Sequence, residues 1–139
     1  MKNIYFGNTI NNGKGIFAAN NIKAGELIFV VKGKIVEEGY PSIGKEHWFG
    51  IEPNFWIDAS KDNPIIYTNH SCNPNIKIRN KVEIIAVRDI NKDEELCFDY
   101  SLNEFDPFWQ MVCNCETMLC RGIIVGRKQI ENRSFKIKS

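Results

Sequence analysis

Near the end of this 139-residue chain, the run Cys113-Asn114-Cys115-Glu116-Thr117-Met118-Leu119-Cys120 places three cysteines in eight residues and supplies no fourth. Neighbours in Cys-x-Cys are too close for an unstrained bridge, and three thiols leave one over, so a disulfide accounts poorly for the run. A tetrahedral ion such as zinc accounts for it better, provided one more sulfur or nitrogen arrives from elsewhere. The candidates are His47, His70, Cys72 and Cys97. Cys97 sits among apolar neighbours in ELCFD, where a lone thiol usually acts as a small buried hydrophobe. Cys72 lies in Asn69-His70-Ser71-Cys72-Asn73-Pro74-Asn75, a run of turn formers that can present a thiolate outward. Cys72 is the better ligand on local grounds, and through it one ion would tie the middle of the chain to its end. The plain alternative is a metal-free surface tail with incidental cysteines.

Five cysteines, an odd number clustered at metal spacing, fit reduced thiols in an intracellular, reducing compartment better than a secreted disulfide scaffold. The length suits one globular domain with a modest core. No run approaches the roughly 20 apolar residues needed to cross a bilayer, and the first residues hold no apolar leader segment. A soluble protein with no membrane association is therefore expected. A net charge of +1 argues against a broad electrostatic grip on nucleic acid, so no direct nucleic-acid binding is expected. The balance is uneven: residues 127–139 carry five basic side chains against the single Glu131, which leaves the body mildly acidic. Such a body suits a basic peptide better than a polyanion, although a solvated surface with a basic tail reads equally well.

Short runs rich in Ile, Val and Phe, among them KNIYFG, GIFAA, ELIFVVKGKIV, FWIDA, NIKIRN and KVEIIAVRDI, are separated by Gly, Asn and Pro. This is strand patterning. No segment keeps a helical apolar period for three turns, so helices should be few and short, with the best candidates around Pro64 to Thr68 and Pro107 to Met111. A mainly β fold of several small sheets is predicted. Two stretches echo each other, Ala18 to Phe29 and Ala86 to Phe98, and each reads as a strand, a polar turn and a return strand. Two copies are too few for a repeat array.

The segment Asn69 to Asn75, followed by Glu95-Leu96-Cys97-Phe98-Asp99-Tyr100 and then by Cys-x-Cys-x4-Cys, resembles the SET-domain protein lysine methyltransferases with a zinc-binding post-SET segment. The likeness runs in order from Gly13-Lys14-Gly15 to Cys120-Arg121-Gly122. It implies a SET-domain (β-clip) fold with a pseudoknot-like crossing of the Asn69 to Asn75 segment and the Leu96 to Tyr100 strand. It also implies residues 1–104 as the SET domain, 105–126 as the post-SET zinc segment and 127–139 as a basic C-terminal tail. The implied ligands of one zinc ion are Cys72, Cys113, Cys115 and Cys120. S-adenosylmethionine would be held by Asn12, Lys14, Gly15, Asn69, His70 and Asn114. His47, before Trp48-Phe49, stands where the family often has a cofactor-facing tyrosine, and reads either as such a contact or as a packing or surface residue.

The chemistry implied is transfer of a sulfonium methyl to the side-chain amine of lysine in a protein or peptide, a histone or another basic protein. A free lysine has a pKa near ~10.4 and its charged form cannot attack, so the site must desolvate the amine and let its proton leave. The resemblance assigns the orienting hydroxyl to Tyr100. In an extended chain Phe98 and Tyr100 share a face, so Phe98 would line the same channel while Cys97 turns away. Trp109 is either core or the channel wall on the post-SET side. Phenylalanine at position 98 goes, in this family, with di- and trimethylation. A catalytically silent, zinc-stapled SET-fold module that binds peptides is the rival reading. A Cys-His hydrolase built on Cys72 and His70 fails because the metal already claims Cys72.

Overall fold

The computed structural model of the chain describes residues 3–10, 13–37, 48–105 and 109–126. Its strands are short because the apolar runs are short, and they assemble into several small sheets. β1 (Ile4–Asn8) pairs antiparallel with β2 (Lys14–Ala18). β3 (Leu27–Val30) lies beside β9 (Glu83–Ala86), which also pairs with β8 (Ile76–Arg79). A third sheet has the order β4-β6-β5, built from β4 (Gly33–Glu37), β6 (Phe55–Ala59) and β5 (Trp48–Glu52). None of these can bury a face alone, so their inner residues converge. Ile16, Ile22, Ile76, Ile84, Ile90 and Leu96 are almost wholly inaccessible at the centre of one continuous core.

The two echoing segments lie against each other, which their similarity alone did not reveal. Ile22 and Ile90 exchange both backbone hydrogen bonds at 2.8 Å. On either side, Asp93 N–H donates to Ala18 O and Gly25 N–H to Ala86 O. Each turn needs one left-handed residue, supplied by Gly25 (φ 83) in the first and Asp93 (φ 71) in the second. The pair forms a local two-fold that delivers the chain into β3 on one side and toward Leu96 on the other.

The crossing expected from the resemblance is a pair of two-residue strands running parallel, β7 (Asn69–His70) and β10 (Cys97–Phe98), with Asn69 opposite Cys97 and His70 opposite Phe98. So short a ladder is not stable by itself. Buried Asn75 extends it: its Oδ1 accepts from Cys97 N–H at 2.9 Å, and its Nδ2 donates to Glu95 O at 2.8 Å. Ser71 N–H to Phe98 O and Asn75 N–H to Cys97 O complete the strap.

Of the helix expectations, Pro64 to Thr68 corresponds to a 3-10 turn at Pro64–Tyr67, capped by the Asn63 side chain. The second is corrected. Residues 107 and 108 lie outside the described residues, and Gln110–Val112 is a strand, β11, pairing antiparallel with β12 (Ile123–Val125). Partners rich in Ile and Val favour a ladder over a lone helical turn. No helix of the described residues is long and apolar enough to cross a membrane.

Replacing Asn75 with alanine strands a backbone N–H and a C=O that no neighbouring strand can serve. The variant should lose on the order of 2–4 kcal/mol of stability, read as an earlier midpoint in chemical unfolding at unchanged slope.

Candidate functional site

After Phe98 the chain leaves the strand. Asp99 caps a 3-10 turn over Tyr100–Leu102, its Oδ1 accepting from Ser101 N–H at 3.0 Å. The turn sets the Tyr100 ring 5.0 Å from Phe98 and 5.2 Å from His70, centroid to centroid. Tyr100 Oη donates to the Thr68 carbonyl at 2.6 Å. Burial raises the phenol above its ordinary range, helped by the nearby Cys97 and Glu95, so the hydroxyl stays protonated. With its hydrogen given to Thr68, the oxygen keeps lone pairs for another donor.

Tyr100 stands at a cavity of about 240 Å3 whose aromatic lining also comes from Trp48, Phe49, Phe98 and Trp109. Glu104 and the Thr68 carbonyl segment add polar groups to this wall. β5 is able to lie close under the turn because residue 50 is glycine; a Cβ there would overlap the Asn103 carbonyl. Trp109 therefore belongs to the wall of this cleft, and Phe98, 5% exposed, forms part of it between Phe49 and Tyr100.

The sulfurs of Cys72, Cys113, Cys115 and Cys120 all lie within 4.8 Å of one another, and those of Cys72 and Cys113 are 3.7 Å apart. Four thiolates around one zinc at about 2.3 Å stand about 3.8 Å from each other, so the set fits a single tetrahedral ion. Cys97 is outside the cluster. Burial and the Glu95 charge push its thiol up to about 12, so it stays neutral.

His70 joins the cluster to the tyrosine. The Tyr100 backbone N–H donates to His70 Nδ1 at 3.0 Å, which leaves that nitrogen unprotonated and puts the ring's proton on Nε2. Nε2 is 3.3 Å from Cys72 Sγ, which also accepts from Arg121 N–H at 3.3 Å. Two N–H donors aimed at one sulfur suit a metal-bound thiolate. Burial lowers the imidazole to about 4, with Asp99 opposing and Arg121 assisting, so the ring is neutral near pH 7. Arg121 then grips Asp99 through both carboxylate oxygens, at 2.8 and 2.7 Å, and reaches Ser101 Oγ. Burial works to raise the Asp99 carboxyl, but these bonds and the Ser101 N–H outweigh it and hold it below its usual range.

A hollow of about 130 Å3 is lined by Asn69, His70, Tyr100, Val112 and Asn114 among others. It adjoins a second, of about 330 Å3, bordered by Thr9, Phe17, Glu95 and Asn114. Gly15 lies beside them: a Cβ there would fall 2.7 Å from Glu95 Oε2 and 3.2 Å from Asn69 Nδ2. The backbone groups, the amide and the apolar side chains that border the two hollows suit a nucleoside joined to an amino acid. The structure thus brings Gly15, Asn69, His70 and Asn114 together. Lys14 contributes its carbonyl, while its ammonium lies over the Tyr67 and Phe6 rings. Asn12 and His47 lie outside the described residues.

Several residues were not singled out from sequence. Trp48 and Phe49 could have been found from the aromatic cluster WFG. Arg121, directly after the last cysteine, was visible only as part of the resemblance. Thr68 acts through its backbone and carried no signal.

The sequence profile of the SET domain matches residues 13–101. The chain is 34% identical over 129 residues to a protein of Emericella nidulans described as "Histone-lysine N-methyltransferase, H3 lysine-4 specific", a match covering 79% of this chain and 11% of the relative. It is 30% identical over 145 residues to the Saccharomyces cerevisiae "Histone-lysine N-methyltransferase, H3 lysine-36 specific", covering 91% of this chain and 20% of that one. The chain thus spans only a small part of the length of these relatives. Among solved structures, Arabidopsis thaliana SUVH6 in complex with SAM superposes with a TM-score of 0.72 at 26% identity, over 86% of this chain and 32% of that one. Kryptonite in complex with mCHH DNA, an H3(1-15) peptide and SAH superposes at 0.71 and 23% identity, over 87% and 29%.

The sulfur geometry predicts one zinc per chain by elemental analysis of freshly purified protein. Cys72→Ser should release it, because a three-sulfur remnant is open to water and to chelators. Wild-type protein without zinc would contradict the assignment.

Proposed function

The chain belongs to the SET-domain family, and we propose that it transfers methyl groups from S-adenosylmethionine to the side-chain amine of lysine in a protein substrate, a histone or another basic protein. Residues 1–104 would form the SET domain, 105–126 the post-SET segment around one zinc held by Cys72, Cys113, Cys115 and Cys120, and 127–139 a basic tail. The mildly acidic body and the free cysteines suit a basic peptide and a reducing compartment. The observation that carries the reading is that Tyr100 lines both the aromatic cleft and the Asn69-His70-Asn114 hollow.

S-adenosylmethionine, when bound, supplies a methyl activated on a positive sulfonium. The chain's own residues do the rest. Trp48, Phe49, Phe98 and Trp109 strip water from the lysine stem and disfavour the charged amine, so its proton passes to solvent water before attack. Tyr100, donating to Thr68, accepts an N–H from the neutral amine and so aims the amine's lone pair toward the hollow beyond. Its raised pKa keeps it a phenol, unable to compete for the methyl. Asn69, His70, Gly15 and Asn114 would hold the donor, with Asn12 and His47 as further proposed contacts.

Incubating the chain with methyl-labelled S-adenosylmethionine and a panel of histones and cell-extract proteins tests the class. Label in protein lysine supports the proposal. No label from zinc-loaded, cofactor-binding protein would favour a silent peptide-binding module instead. Tyr100→Phe should keep zinc and cofactor binding but lower the turnover by on the order of 10²-fold or more, since the lost hydroxyl acts mainly in the transition state.

Phe98 bears on how many methyl groups are added. After one transfer the amine must rotate, which needs room where an ordered water could otherwise sit. Phe98 offers such a water no hydrogen bond, whereas a tyrosine hydroxyl would anchor it. The wild type should therefore reach at least dimethyllysine, and Phe98→Tyr should stop mainly at monomethyl. One bound water is a matter of about 0–2 kcal/mol, so the outcome is a strong bias. Mass spectra of a substrate peptide at exhaustion read it directly, and monomethyl-only product from the wild type would contradict it.

A further inference from the structure

The bonds around the Asn69 amide decide which of its two polar atoms faces outward. Nδ2 lies 2.8 Å from Glu95 Oε2 and 3.2 Å from the Lys14 carbonyl oxygen. An ionised carboxylate and a carbonyl only accept, so the NH2 end must occupy that side and Oδ1 must turn the other way. Among the described residues Oδ1 receives no hydrogen bond.

Asn69 lines the smaller hollow and Glu95 the larger, and Asn114 and Cys115 border both. The Asn69–Glu95 bond therefore lies where the two hollows meet. Gly15 opens the place, since a side chain there would collide with Glu95 Oε2 and crowd the Asn69 amide. Among the described residues of the loop the one cation, the Lys14 ammonium, is turned onto the Tyr67 ring 4.8 Å away. What remains is a small group of acceptors beside an anionic carboxylate. A primary ammonium, with three donors and one positive charge, is the chemical class that satisfies it.

We propose that Glu95 is a positioning residue for the cofactor: by accepting from the Asn69 amide it holds Oδ1 outward, and the two together receive the α-ammonium at the amino-acid end of S-adenosylmethionine. The inference rests on the methyl-transfer reading for the identity of its ligand. It separates Glu95 from the residues that wrap the adenosine, so its effect should depend on whether a ligand carries the amino-acid end.

Calorimetric titration of the zinc-loaded chain with S-adenosylhomocysteine and with 5′-methylthioadenosine, which lacks the amino-acid end, separates the two. Glu95→Ala should weaken S-adenosylhomocysteine by on the order of tenfold and leave 5′-methylthioadenosine within about twofold. Glu95→Gln, whose Oε1 can still accept from Asn69, should recover most of the loss and remain about threefold weak for want of the charge. Zinc content and thermal unfolding establish that each variant is folded. If the alanine variant does not fold, Glu95→Gln decides alone by its selective deficit toward S-adenosylhomocysteine. Equal loss for both ligands, no loss for either, or a glutamine variant as weak as the alanine one overturns the proposal. If wild-type protein binds neither ligand, the methyl-transfer reading falls as well; if it binds both and the variants match it, only the role of Glu95 falls.

Discussion

The hydrogen bond from the Tyr100 backbone N–H to His70 Nδ1 organises both halves of the site. It costs the ring its freedom of tautomer, and so commits the Nε2 proton to Cys72. A single neutral imidazole then spans from the turn that carries the tyrosine to a sulfur of the cysteine cluster. Protonating it would put a buried positive charge against a backbone N–H. Burial opposes that by pulling the imidazole down to about 4. The same ring stacks edge-on against the Tyr100 side chain, so the link fixes the direction of the phenol as well as the position of its backbone.

Small sheets explain why such links are needed. No α-helix among the described residues braces the site, and the parallel pair of β7 and β10 is two residues long. Its stability comes from outside the ladder: Asn75 fills in as a surrogate strand, and the Arg121–Asp99 pair clamps the cysteine segment onto the 3-10 turn. A metal bound between Cys72 and the three later cysteines would close the long loop between them and fix what lies inside it, including Phe98, Tyr100 and Trp109. The architecture therefore couples the aromatic cleft, the Asn69-His70-Asn114 hollow and the cysteine cluster through a few side chains.

Much of this was legible in the sequence wherever a local property and a long-range role coincide. Turn formers around Cys72 gave reason to choose it over Cys97, and the two sulfurs do part company in space. Short β-branched runs gave the small sheets. Phe98 and Tyr100 were expected to share a face by strand alternation, and their rings are neighbours, but by another route: the chain breaks into a 3-10 turn after Phe98. The strand at Gln110–Val112 was not visible, because its partner Ile123–Val125 lies beyond the cysteine run and only the closed segment brings them together. Nor could sequence show that Asn69 and Glu95 hold each other, that His70 faces two ways, or that the echoing segments pair with one another. Each depends on contacts between residues that are ordinary in their own neighbourhoods.

The claim that the cysteine cluster and the hollow proposed for the cofactor are one mechanical unit, joined through His70, is tested most directly by stripping the proposed zinc from the wild-type chain. S-adenosylhomocysteine is then titrated while far-UV circular dichroism follows the strands. The account predicts that affinity falls by on the order of tenfold or more while the strand signal is largely kept, and that both return to the starting values when zinc is restored. Undiminished cofactor affinity in metal-free, folded protein would contradict it.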